Sequence, residues 1–230
     1  MSAFAPLFAA LVLIVACASG APTPAAGRSG VYGEVRLVPR EGLALGGNGA
    51  YGDRRLRDVT LVDYSRPGYA VIYARGPTTG GLMELAIVQG ALTTRIEPAQ
   101  AALGTGGAIV VRNQAEHSHV VSAPALGLVR KLAPGERLRV AADVEGALHI
   151  FVLDEPGAAS LVFVSPGPFA ETSPTGRYEL VDLEPGLNRV GVWHPRFPPA
   201  EREVELAADR PVRLDFELSA ASAQDTDAAP

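Results

Sequence analysis

After residue 17 the chain contains no cysteine. No disulfide can form in that remainder, and no thiolate is available there as nucleophile or metal ligand. Lysine is almost missing too: Lys131 is the only one, and arginine supplies the rest of the 20 basic residues. Methionine occurs only at Met1 and Met83, and tryptophan only at Trp193. Helical periodicity is lacking throughout, and 25 glycines and 19 prolines punctuate the chain too often for long helices. Basic excess is lacking as well. A formal charge of −5 and a pI near 5.4 leave no electrostatic drive toward nucleic acid or anionic membranes. No Ser-His-Asp arrangement, nucleophile elbow or His-Glu-x-x-His motif stands out. The glycine-rich stretches Leu45-Gly46-Gly47-Asn48-Gly49 and Gly104-Thr105-Gly106-Gly107 do not join a strand to a helix, which a phosphate loop requires. Nothing supports catalysis, and the chain reads as a non-enzyme.

What is present is a core and a period. Hydrophobic residues make up 47% of 230 residues, enough to bury a substantial interior. The dominant pattern is alternation, which places successive side chains on opposite faces of a strand. Val212, Leu214, Phe216 and Leu218 alternate with Arg213, Asp215 and Glu217, predicting one strand with a wet face. Val204 and Leu206 between glutamates predict another. Further strands are expected at 31–38, 57–63, 69–74, 83–88, 108–112, 119–122, 137–141, 148–153, 161–164, 177–180 and 189–193. Turn signals such as Arg66-Pro67-Gly68, Pro134-Gly135 and Pro185-Gly186 separate them. About a dozen short strands predict an all-β protein of one or two sandwiches. The 43–53 stretch reads as a loop, and the small, polar tail is expected to be disordered.

Residues Ala3 to Ala18 form a short apolar run followed by small residues. It is shorter than the roughly 20 residues a membrane-spanning helix needs, and it reads as an export signal. Ile14-Val15-Ala16-Cys17 resembles the bacterial lipoprotein box, in which the cysteine is lipidated and becomes the mature N-terminus. Ordinary cleavage near Ala18 or Gly20, and a retained anchor, stay open as alternatives. The n-region carries no Lys or Arg. The expected location is the periplasm or outer membrane.

Two blocks resemble known families. Ile109-Val110-Val111-Arg112-Asn113 followed by His119-Val120-Val121-Ser122 resembles the first ligand region of plastocyanin-like cupredoxins. Pro168-Phe169-Ala170, Thr175-Gly176-Arg177-Tyr178-Glu179-Leu180, Pro185-Gly186 and Val192-Trp193-His194-Pro195 resemble the carboxypeptidase regulatory-like β-sandwich. The order is similar to that of exported bacterial plastocyanin-like proteins, some labelled methylamine utilization proteins. The resemblance implies a cupredoxin-like Greek-key sandwich joined to, or interleaved with, a regulatory-like (Ig-like or transthyretin-like) sandwich. The implied divisions are a signal and linker (1–27), opening strands of the regulatory-like sandwich (28–90), a cupredoxin-like domain (91–165), further regulatory-like strands (166–218) and a tail (219–230).

The same resemblance implies copper ligands, and the residues do not supply them. His119 matches the first histidine. Counted without gaps, the family's later Cys, His and Met positions fall on Phe151, Asp154 and Gly157. A type-1 centre needs a thiolate, so its copper chemistry is excluded wherever Cys17 is lipidated or removed. An expected emptied cup would gather Phe151, Asp154 and Gly157 around His119. A second metal reading uses His117 and His119, two residues apart and on one face of a strand, to hold Cu or Zn, with Glu116, His149 or Asp154 as third donor. Trp193 is expected to anchor the second sandwich, His194 to cap its strand, and His149 to be a core or edge residue. The Arg54-Arg55-Leu56-Arg57 run reads as a solvated, self-paired loop.

The leading expectation is a non-catalytic envelope module without a cofactor, meeting an envelope protein or other cell-envelope component. The alternatives are a periplasmic Cu or Zn protein using His117 and His119, and, more remotely, an electron-transfer cupredoxin.

Overall fold

The computed structural model describes residues 28–39 and 62–219. The expected export segment with Cys17, the glycine-rich 43–53 stretch, the Arg54–Arg57 run, most of the strand expected at 57–63 and the tail from 220 lie outside the described residues. Within them the protein is all-β. The only helical turn among the described residues is a 3-10 turn at Pro124–Leu126.

The strands build two sandwiches with separate cores. In the first, β1 (Gly30–Val38) is flanked by β13 (Arg177–Val181) on one side. On its other side lie β16 (Pro211–Arg213) and β17 (Phe216–Ser219). The facing sheet runs β12 (Phe169–Glu171), β2 (Val71–Ala74), β14 (Gly186–His194) and β15 (Phe197–Leu206). Val31, Val35, Ile72, Tyr178, Leu180, Val190, Val192, Phe216 and Leu218 fill the space between them.

The second sandwich has a four-stranded sheet, β4 (Thr94–Glu97), β3 (Leu82–Gln89), β6 (Gly107–Asn113) and β9 (Arg137–Ala142). Its five-stranded sheet is ordered β5 (Gln100–Gly104), β11 (Ala159–Ser165), β10 (Gly146–Val152), β7 (His119–Ala123) and β8 (Leu128–Leu132). Leu85, Ile87, Ile109, Val111, Val121, Leu132, Ile150, Val152 and Val162 lie in its core. This second sandwich sits in the chain between β2 and β12, so the first is the outer, discontinuous one.

Two expectations need correction here. By sequence the 83–88 segment is expected among the opening strands of the regulatory-like sandwich, which extend to residue 90. Instead β3 pairs with β4 and β6, and its Leu85 and Ile87 are buried in the inner core. The pairing with β4, across a short turn, and with β6 decides this, and alternation within one strand does not name those partners. The single strand expected over 212–218 is broken at 214–215. Leu214 N–H donates to the Tyr32 carbonyl at 2.9 Å, and Glu34 N–H donates to Asp215 Oδ1 at 3.0 Å. A side-chain carboxylate thus replaces a backbone acceptor at the break. A Cβ on Gly33 would lie 2.1 Å from the Leu214 carbonyl oxygen, so only glycine fits this close approach.

The sandwiches meet at an aromatic seam. Val71, Tyr73 and Trp193 of the outer unit pack with Ala102 and Phe163 of the inner one. Phe163 stacks on Trp193 with ring centroids 4.8 Å apart, and on Tyr73 at 5.4 Å with a tilt. A cleft of about 340 Å³ runs along this seam, bounded by Arg75, Glu145, Pro166 and Pro199. Trp193 therefore anchors the contact between the sandwiches and not, as expected, the core of its own sandwich, where Val190 and Val192 take the inward positions of β14.

Candidate functional site at one end of the inner sandwich

The residues from the cupredoxin-like block converge where β6 ends and β7 begins. Asn113 is fully buried and holds the intervening loop. Its side-chain amide donates to the carbonyls of His117 at 2.7 Å and Leu132 at 3.0 Å, and its Oδ1 accepts from Ala115 N–H at 3.0 Å. Three bonds from one side chain satisfy a loop that has no ladder of its own.

His119 opens β7 on the side facing the core and is 4% exposed. Its Nδ1 lies 2.8 Å from Asp154 Oδ2. A carboxylate only accepts, so Nδ1 carries a proton and donates it to Asp154. The other oxygen, Asp154 Oδ1, accepts from Val120 N–H at 2.8 Å. Asp154 follows β10 directly, and the β7–β10 pairing of Phe151 with Ser122 and Val152 with Val121 carries it opposite His119. Burial raises the Asp154 pKa, but the bonds from Val120 and His119 outweigh it and hold the carboxyl below its ordinary 3.8.

The other two positions expected around His119 do not gather there. Leu148, Ile150 and Val152 of β10 point into the core, so Phe151 points to the opposite face of the sheet. There it stacks on His149, with centroids 5.7 Å apart and planes 13° from parallel. The ungapped count is one residue out of phase with the strand, which reverses the face. Gly157 is exposed in the turn after β10 with φ +91°, a conformation suited to glycine. Of the three positions, Asp154 alone meets His119.

The paired-histidine geometry is also absent. His117 is exposed in the loop before β7, and His119 is buried at its first position. The same-face rule applies within a strand, and β7 begins too late to include His117. No group of three or more His, Cys, Asp or Glu side chains is arranged to hold a metal ion among the described residues. His149 is exposed on the outer face of β10, contrary to the core or edge position expected for it. Glu116 is exposed, and its N–H donates to Gln89 Oε1 at 3.4 Å.

The donor set does not fit type-1 copper. Residues 28–219 contain no cysteine, and Met83 packs partly buried against the inner core. The nitrogen that His119 holds toward Asp154 is occupied by a hydrogen bond, and the carboxylate is fixed from both sides.

His194 is buried at the far end of β14 in the outer sandwich. Arg196 N–H donates to its Nδ1 at 3.0 Å, so Nε2 carries the proton and donates to the Pro67 carbonyl at 3.0 Å. It ties the strand end to the Pro67 turn. Sequence reasoning missed the Asn113 clamp, although an Asn at a strand end before a glycine-free loop was visible in the chain. The resemblance does bring Asp154 to His119; what nothing local in Leu153-Asp154-Glu155-Pro156 shows is that its carboxylate accepts a hydrogen bond from the His119 ring.

No family model matches the chain, and no curated protein matches it. Among solved structures, a novel purple cupredoxin from Nitrosopumilus maritimus is 21% identical with a TM-score of 0.31, covering 36% of this chain and 99% of that one. Amicyanin from Paracoccus versutus (Thiobacillus versutus) is 12% identical with a TM-score of 0.30, covering 39% of this chain and 85% of that one.

Proposed function

We propose that the chain is a non-catalytic binding or accessory module of the cell envelope, exported by its N-terminal segment, whose inner sandwich follows a cupredoxin pattern without type-1 copper. The observation that carries this reading is the His119–Asp154 pair at 2.8 Å. The one residue that matches a copper ligand is engaged by a carboxylate in the turn after the neighbouring strand β10, which is itself bonded to backbone. The pair closes the end of the sandwich as a structural contact. No thiolate is available from residues 28–219. The paired-histidine alternative gains no support from His117, which is exposed and outside β7.

Calorimetric titration of the full chain with Cu(II) and Zn(II) tests this. The expected result is no stoichiometric binding below micromolar. Tight binding that His119→Gln abolishes would overturn it. Export and lipidation are tested together by cell fractionation and fatty-acid labelling of the wild type and Cys17→Ser. Label retained by Cys17→Ser, or protein confined to the cytoplasm, counts against the envelope placement.

A further inference from the structure

The outer face of the four-stranded sheet carries a charge arrangement that the fold does not require. In β6 and β9, residues 109, 111, 138, 140 and 142 face the core, so Arg112, Arg137 and Arg139 project from the opposite face. Arg112 stands directly opposite Arg137, and Arg139 is opposite Val110 in the adjacent row. Asn113 N–H donates to the Glu136 carbonyl. By alternation, Arg112 and Arg137 then form a non-hydrogen-bonded pair, in which facing Cα atoms are only about 4.5 Å apart. Arg137 and Arg139 are about 7 Å apart along one strand. Like charges placed directly opposite destabilise a sheet.

None of the three arginines has an ion-pair partner among the described residues, whereas Arg95 on the same face pairs with Glu97 at 2.5 Å. The Nε of Arg112 is moreover buried without any hydrogen-bond partner. The seam to the outer sandwich involves Ala102 and Phe163 of the five-stranded sheet, which leaves this face on the far side of the inner sandwich. In a chain of net charge −5, three unpaired positive charges are thus gathered on one flat face.

We propose that this face binds an acidic polysaccharide through its sulfate or carboxylate groups. Guanidinium groups match oxoanions with paired N–H donors, and a bound anion relieves the Arg112–Arg137 repulsion. Beside the arginines the face offers Leu82, Ala86, Val88, Val110 and Ala141 and one exposed carboxylate, Glu84, across Val110 from Arg139, with no aromatic residue. A protein partner is held by buried aromatic anchors in pockets, which this face lacks. A polymer with anions at short intervals gains instead from repeated engagement along its length. The proposal is independent of the copper question, and it supplies a partner class for the envelope module.

Binding of the full chain to dextran sulfate and to alginate, with poly-glutamate as the protein-like arm, tests the proposal. Binding to one or both polysaccharides should weaken as salt rises and fall at least tenfold in the Arg112→Gln/Arg137→Gln/Arg139→Gln variant. Arg130→Gln/Lys131→Gln, on the other sheet, should bind as the wild type does. Arg137→Gln alone should raise Tm without ligand by roughly 1–3 °C, and this readout also certifies that the variants fold. No binding at low salt, equal binding by the triple variant, or binding to poly-glutamate alone would each overturn the proposal.

Discussion

Asp154 and His194 show how one side chain fixes a strand end, and each has a distinct acid response. Asp154 accepts from Val120 N–H and from the His119 ring. Asp154→Ala should cost about 1 kcal/mol, a value kept low because the carboxylate is 42% exposed. The expected sign is a lower urea midpoint with an unchanged slope. Its folded pKa is depressed below 3.8, so its contribution is fully present above that value and is lost as pH falls through the lower folded one. The gap between wild type and Asp154→Ala should therefore close in strong acid. A gap constant from neutral pH to pH 2 would show that the carboxylate's charge is not what matters. His194 responds at higher pH. Burial, opposed by the Pro67 bond and assisted by the Arg196 charge, holds its pKa below 6.5. The unfolded chain then takes up a proton that the folded one refuses, so stability falls as pH drops below about 6.5. His194→Gln keeps one donor and one acceptor and cannot titrate. Its urea midpoint should vary less than the wild type's between pH 7 and pH 5, and an unchanged dependence would refute the assignment.

At the level of elements, most strands were legible because each hides one face, and alternation reports which face is hidden. β1, β6, β7, β13 and β14 fall close to the predicted positions for that reason. What alternation does not report is the hydrogen-bond ladder. Val212, Leu214, Phe216 and Leu218 keep their period across the break between β16 and β17, so one strand was expected where there are two. The edge strand β8 was missed because Arg130 occupies an inward-facing position and spoils the period; an inward charge also discourages edge-to-edge pairing. At the candidate site, His119 was legible from its local motif and Asp154 was placed by strand pairing 35 residues later. The break at 214–215 yields a specific expectation. Asp215→Ala should destabilise the outer sandwich by about 1 kcal/mol by leaving Glu34 N–H without its acceptor, and Asp215→Asn should recover part of that. Denaturant curves that rank the two variants the other way would contradict the acceptor role. Gly191 tests the seam in the same fashion. A Cβ there would come within 2.3 Å of the Tyr73 ring, which bonds Glu201 at 3.0 Å and packs on Phe163. Gly191→Ala should cost about 1–3 kcal/mol through overpacking. It should also lower the Tyr73 pKa, which burial and then the Glu201 bond push up to about 12.

Across the whole molecule, the outer sandwich is closed by segments distant in sequence, and the inner one is closed within a single stretch. β1 pairs with β16 and β17, and the Glu34–Asp215 bond spans 181 residues. Every member of the inner core lies between Leu85 and Val164. The two ends of the inner unit also lie together. Ala108 N–H donates to the Gly81 carbonyl and Thr105 N–H to the Ser165 carbonyl, so both ends are tied to the β5–β6 connection. On the outer side, Gly76 N–H reaches the Pro166 carbonyl at 3.5 Å. Adjacent ends and a private core are what a domain inserted into another requires. A fragment spanning 78–166 should therefore fold alone, with one cooperative transition, because excision removes no residue of its core. It uncovers Phe163, which stacks on Trp193 in the full chain, so Phe163→Gln should improve the fragment's solubility without abolishing its transition. In the full chain the same contact couples the two units. Trp193→Ala should remove several kcal/mol from the seam and outer sandwich together, about 3–5 by analogy with other buried aromatics. The outer unit, closed by long-range pairings, should then melt first and leave the inner transition near that of the fragment. Differential calorimetry reads both. A fragment without a transition, or a Trp193→Ala protein that still melts in one step, would mean that the two cores form a single cooperative unit.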